Sequence, residues 1–164
     1  MRRHLIEVFV GLVLSTGMVA SAQHKPITTR NAPKATGPYS QAIEAGNMLF
    51  LAGQIAIDPK TQQFNAEASI EDQTRQTLEN LKAVLTSARM TMANVVSASV
   101  FMKDLNDFDK MNAVYATYFK GVAPPARVTV QVAALPKDAK IEISFIAMQA
   151  TVSQNELQYP YPSR

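Results

Sequence analysis

The sequence predicts an α+β domain in which one mixed sheet carries two helices packed on one face. Three observations lead there. Two strand-like runs, Gln41 to Ala45 and Met48 to Ala52, flank Gly46-Asn47, a pair with easy access to positive φ that marks a hairpin. Two later stretches repeat apolar residues at spacings of three and four. Near the end, Val128, Val130 and Val132 alternate with Arg127, Thr129 and Gln131, and Ile141, Ile143 and Phe145 alternate with Glu142 and Ser144. That period of two belongs to strands.

In chain order, a polar lead from residue 23 holds a short candidate strand near Ile27 to Thr29, then a loop over Asn31 to Thr36. Gly37-Pro38-Tyr39-Ser40-Gln41 is a rigid turn presenting a tyrosine. After the hairpin, Gly53 either marks a bulge or lets another group approach the backbone closely. Ser69 caps a helix with Glu71 and Asp72 in its first turn, and Ile70, Thr74, Leu78, Leu81, Leu85 and Ala88 form its buried stripe. Val95 to Met102 reads as a strand with Val96, Ala98, Val100 and Met102 on one side. Asp104 to Asp109 turns into a second helix whose stripe is Phe108, Met111, Tyr115, Tyr118 and Phe119. Pro124-Pro125 then stiffen the approach to the strand that Arg127 opens.

The polar face of the two C-terminal strands is almost free of charge apart from Arg127 and Glu142, which suits an interface or a lined cleft better than open water. A guanidinium on a rigid support suits bidentate capture of a carboxylate. A structural ion pair between Arg127 and Glu142 is the competing reading. With two helices on one face of the sheet, the other face is expected to be covered by self-association.

The 164 residues, 47% hydrophobic and 18% charged, allow one domain with a proper core. Residues 1–22 read as a secretory signal peptide: a basic start at Met1-Arg2-Arg3-His4, an apolar run from Val8 to Val19, and Ala20-Ser21-Ala22 as the cleavage site. A membrane anchor is the alternative, but the apolar run is shorter than the roughly 20 residues a span requires. The mature domain is then 23–152, periplasmic or secreted and without stable membrane insertion, and 153–164 is a loose tail. Loss of Arg2, Arg3 and Glu7 takes the formal charge from +3 to near +2, with Lys and Arg scattered, so no nucleic-acid partner is expected. The chain has no cysteine, and its two histidines are His4 and His24, in the signal or just after it. Thiol nucleophiles, Ser-His-Asp chemistry and Cys or His metal sites are thereby excluded.

Gly37-Pro38-Tyr39-Ser40-Gln41, Ala52-Gly53-Gln54-Ile55, Lys103 to Phe108, Asn112-Ala113-Val114-Tyr115, Pro125-Ala126-Arg127 and Leu135 to Ile143 together resemble the Rid family, the reactive intermediate deaminases also called YjgF. The resemblance spans residues 27–150. It implies a chorismate-mutase-like fold, a homotrimer with clefts between subunits, and cofactor-free, metal-free hydrolysis of reactive enamines and imines to 2-keto acids and ammonia. Carried over by motif, Arg127 would hold the substrate carboxylate, while Tyr39 and Glu142 would orient and activate water. Gly53 would supply backbone at the reacting end, and Asn112 would help line the cleft. Two positions depart from the family pattern: Ala52 stands where many members have serine, and Thr129 where some have cysteine. Both are counted among the substrate-binding residues. The alternatives are a non-catalytic carboxylate binder or holdase on the same trimer, and RNA cleavage, which the scattered basic residues do not favour.

Overall fold

The structure, a computed structural model, describes residues 24–149; the signal-peptide and tail assignments lie outside them. In chain order the elements are β1 (His24–Ile27), β2 (Ala42–Ala45), β3 (Met48–Leu51), α1 (Ile70–Ser87), β4 (Val95–Met102), α2 (Phe108–Tyr118), β5 (Ala126–Gln131) and β6 (Ile141–Met148). The six strands form one sheet in the order β1-β2-β3-β6-β4-β5. Every pairing is antiparallel except β4 with β5, the crossover that α2 bridges. The α+β class with one mixed sheet is as the sequence predicts. Among the described residues, no helix is long and apolar enough to cross a membrane.

Gly46 takes φ +61° at the hairpin tip, where a side chain would be strained. The Ser69 hydroxyl accepts the Asp72 backbone N–H at 3.1 Å, and Ile70, Thr74, Leu78, Leu81 and Leu85 of the expected stripe are buried. Met111 and Tyr115 of α2 and Phe119 just after it are buried, while Phe108 and Tyr118 pack against the core from its rim. These residues meet Leu49, Leu51, Ala98, Val100, Met102, Ile141, Ile143 and Phe145 from the sheet.

Four expectations change. The first strand lies earlier than Ile27 to Thr29, so His24 is the exposed first residue of an edge strand rather than part of a leader outside the fold. In β4 the register shifts between Val95 and Ser97, so Val95 takes the core position and Val96 is exposed. One inserted residue shifts everything before it by one face.

The third change concerns β5. Arg127 pairs with Ala98, and Thr129 with Val100, both core-facing, so the polar residues of β5 point to the helix side. Val128 and Val130 point the other way and are exposed. On β6 the polarity is reversed: Ile143 and Phe145 are buried under the helices, and Glu142 pairs with Phe101 on the open face.

The fourth follows from it. β4 lies between β5 and β6, so Arg127 and Glu142 are not on adjacent strands, and they open onto opposite faces of the sheet. They cannot meet within one chain, which removes the structural ion pair. The ion pairs among the described residues join other groups, such as Lys103 with Asp138. The open face carries Phe50, Val128, Val130 and Met148, all large, apolar and exposed.

Candidate active site

A cleft of about 360 Å³ is lined by Thr36, Tyr39, Ala52, Gly53, Ile55, Ile57, Pro136, Lys137 and Glu142. Its walls are held by buried polar side chains. Gln41 accepts the Thr29 backbone N–H at 2.6 Å and donates to the Pro33 carbonyl at 2.6 Å, pinning the loop that leads to Thr36 and Tyr39. Asn80 of α1 donates to the carbonyls of Ile55 and Ile57 at 3.1 and 2.9 Å, fixing the opposite wall. Buried amides used this way satisfy a loop that has no ladder of its own.

Tyr39 is half-exposed, at 50%, and its phenol oxygen accepts the Thr36 backbone N–H at 3.3 Å. The turn fixes the ring while leaving the hydroxyl hydrogen free to donate into the cleft.

Gly53 resolves to close approach, not to a bulge. A Cβ built there would lie 1.9 Å from Glu142 Oε1, while Gln54 exchanges backbone hydrogen bonds with Ile143 at 2.9 and 3.1 Å. The isolated bridge that Gln54 makes to Ile143 thus holds the segment after β3 against β6, so that the glutamate carboxyl lies over bare backbone. Partial burial raises the Glu142 pKa above the ordinary carboxylate value. A carboxyl moved towards neutrality is suited to exchange protons with water.

Gly53→Ala is expected to fold, because only the end of a flexible side chain is in the way. Any reaction that works through the Glu142 carboxyl should nevertheless slow about a hundredfold, since that group would be displaced by an ångström or more. An unchanged thermal melt beside a collapsed kcat is the pattern that checks it.

The expected site residues therefore divide into two groups. Tyr39, Ala52, Gly53 and Glu142 share the cleft, while Arg127, Asn112 and Thr129 lie outside it. Arg127 Nη2 donates to Asn112 Oδ1 at 2.8 Å, so Asn112 holds the arginine rather than lining the cleft within one chain. The Arg127 guanidinium carbon also lies 4.5 Å from the Tyr115 ring centroid and 5.7 Å from that of Phe108. Thr129 Oγ1 is buried with no hydrogen-bond partner among the described residues.

Sequence reasoning missed several lining residues. Lys137 sits at φ 55° beside Asp138 at φ 58°, a pair of left-handed residues whose turn brings Pro136 and Lys137 to the cleft. Pro136 just before Lys137-Asp138 was the available signal. Ile55 stands in the Ala52-Gly53-Gln54-Ile55 motif without a role assigned to it, and Ile57 gave no signal.

Residues 29–149 match the family model described as Endoribonuclease L-PSP. The chain belongs to this family, that of the Rid or YjgF proteins. A RutC family protein of Pyrococcus horikoshii is 59% identical over 121 residues, covering 74% of this chain and 94% of the relative. The 2-iminobutanoate/2-iminopropanoate deaminase of Escherichia coli K12 is 46% identical over 127 residues, covering 76% of this chain and 98% of that enzyme. The crystal structure of the Rid family protein YyfA from Yersinia pestis superposes with TM-score 0.75 at 46% identity, covering 77% of this chain and all of the other. The Rid family thus includes a relative named as an imino-acid deaminase, and the Rid fold accounts for the sheet and its two helices.

Proposed function

We propose that the chain hydrolyses reactive 2-imino and enamine acids to 2-keto acids and ammonia, without a cofactor, in sites shared between the subunits of a homotrimer. The observation that carries this reading is the Glu142 carboxyl lying over Gly53 in a cleft that Tyr39 also lines. The deaminase named among the relatives supports it. Export to the periplasm or beyond belongs to the same proposal and rests on residues 1–22.

In this mechanism the Arg127 guanidinium grips the substrate carboxylate. The Tyr39 hydroxyl orients a water, and Glu142 takes its proton as the oxygen bonds to the iminium carbon. Glu142 then returns the proton to the nitrogen of the resulting carbinolamine. The C–N bond breaks as the carbinolamine hydroxyl gives its own proton to Glu142 and forms the carbonyl, and the departing ammonia takes that proton and leaves as ammonium beside the 2-keto acid. The iminium carbon is electrophilic already, so placement of water and a fixed counter-charge supply most of what is needed.

The separation of its halves supports a shared site. Arg127 and Glu142 open on opposite faces, so a second copy is required to bring a guanidinium to a carboxyl. The exposed Phe50, Val128, Val130 and Met148 supply an apolar surface for that assembly.

The second reading, a carboxylate binder without turnover, is favoured by Ala52, which puts a methyl group in the cleft where a serine hydroxyl would add a hydrogen bond. Ammonia release from imino acids generated in situ by an amino-acid oxidase separates the two. Release above the buffer rate supports the deaminase. Background release from a protein that still binds 2-ketobutyrate overturns it in favour of the binder.

A further inference from the structure

Phe108, Asn112 and Tyr115 are spaced four and three apart on α2 and so share the face that meets Arg127. A guanidinium is flat: its faces can stack on aromatic rings while its edges still donate. Asn112 takes one edge donor at 2.8 Å. Of the five N–H groups an arginine carries, that leaves enough for a two-oxygen grip on a carboxylate.

The rings differ in how firmly they are held. Phe108 is half-buried at the rim. Tyr115 is only 5% exposed, its ring lies 4.8 Å from that of Phe119, and Phe119 in turn meets Phe145 edge-on at 6.2 Å. Phe145 is a fully enclosed residue of β6, so the Tyr115 ring is continuous with the core. Arg127 itself is exposed, and an exposed arginine ordinarily loses much rotamer freedom when a ligand binds.

We propose that Phe108, Asn112 and Tyr115 form a cradle that sets the Arg127 guanidinium in its ligand-binding pose before the ligand arrives, with Tyr115 as the principal positioning residue. The inference rests on the carboxylate role given to Arg127 above. Burial pushes the Tyr115 phenol up to about 12 even with a cation beside it, so at neutral pH the ring presents a neutral π face and no phenolate that would occupy the arginine as an ion pair. The Tyr115 hydroxyl lies near Arg127 but makes no well-aligned hydrogen bond among the described residues, whereas the guanidinium carbon sits 4.5 Å from the ring centroid, so the positioning falls to the ring face.

The test uses protein labelled with ¹⁵N-arginine, with 2-ketobutyrate as the probe ligand. In the wild type and in Tyr115→Phe, the Arg127 Nε–H resonance is expected to be displaced by the ring current. Tyr115→Leu should lose that displacement, weaken 2-ketobutyrate binding about tenfold and raise KM similarly, with kcat within about twofold. Phe108→Leu, at a half-buried position where folding is safer, should move the same quantities in the same direction by less. An Arg127 resonance or a 2-ketobutyrate affinity that Tyr115→Leu leaves unchanged overturns the cradle. So does a Tyr115→Phe variant as impaired as Tyr115→Leu, because the hydroxyl would then be the working group. If Arg127→Ala binds 2-ketobutyrate normally, the carboxylate role fails instead, and the resonance still decides whether the cradle exists.

Discussion

Arg127→Ala is expected to lower kcat/KM for a 2-imino acid about a hundredfold, chiefly through KM. A charge-assisted bond to a carboxylate is worth about 1.5–3 kcal/mol, and removal of the guanidinium takes away both bonds of the fork. Lysine should not restore the lost activity, because an ammonium has no flat face to lie on Tyr115 and Phe108 and cannot fork onto two oxygens. The fold should be little changed, since Arg127 is exposed on an edge strand and its hydrogen bond goes to a half-buried side chain on α2. Steady-state kinetics with parallel thermal melts check both halves.

Glu142→Gln is expected to remove still more, about a hundred- to ten-thousandfold in kcat, the range for loss of a positioned proton-transfer group. Stability should move the other way. Burial raises the Glu142 pKa in the folded state, so the folded chain holds that proton more tightly than the unfolded chain does. The stabilisation associated with the protonated form is complete below the unfolded carboxylate pKa and is lost as pH rises through the raised folded value. At neutral pH the wild type therefore carries the cost of a partly buried charge that glutamine lacks. Melting temperatures should favour Glu142→Gln at pH 7 and converge near pH 4, while wild-type turnover falls as pH drops through the raised Glu142 value. A variant that loses activity and melts below the wild type at pH 7 would mean that Glu142 is held by attractive contacts, not tolerated in spite of burial.

The elements were legible where local chemistry decides them. The Gly46 turn, the Ser69 cap and the α1 stripe follow from spacing and backbone preference, and each has its expected place. The facing of strands was not legible in the same way. Val128 and Val130 have the alternation of a core-facing strand, yet the register with Ala98 and Val100 turns them outward, because nothing local to β5 records which neighbour it will pair with. Val95 and Val96 exchanged roles for a related reason: a register shift is set by the partner strand.

At the site, Tyr39, Gly53 and Glu142 were identifiable from their motifs and do share a cleft. The hold of Tyr115 on Arg127 was not, because a tyrosine in a helical stripe carries the same signature whether it only fills the core or also supports a cation. Separation of Arg127 from Glu142 within the chain depends on strand order, which the sequence does not display.

The most direct test of a site completed by a second copy is co-expression of Arg127→Ala and Glu142→Gln chains under two different affinity tags, with purification of trimers carrying both. Each variant alone is expected to keep about a hundredth of the wild-type kcat/KM or less, whereas in the proposed homotrimer every mixed assembly contains one interface where an intact arginine meets an intact glutamate, so kcat/KM should return to about one third of the wild-type value per trimer. Mixed trimers no more active than either parent, or a wild-type chain that turns over substrate as a monomer, would contradict the shared site.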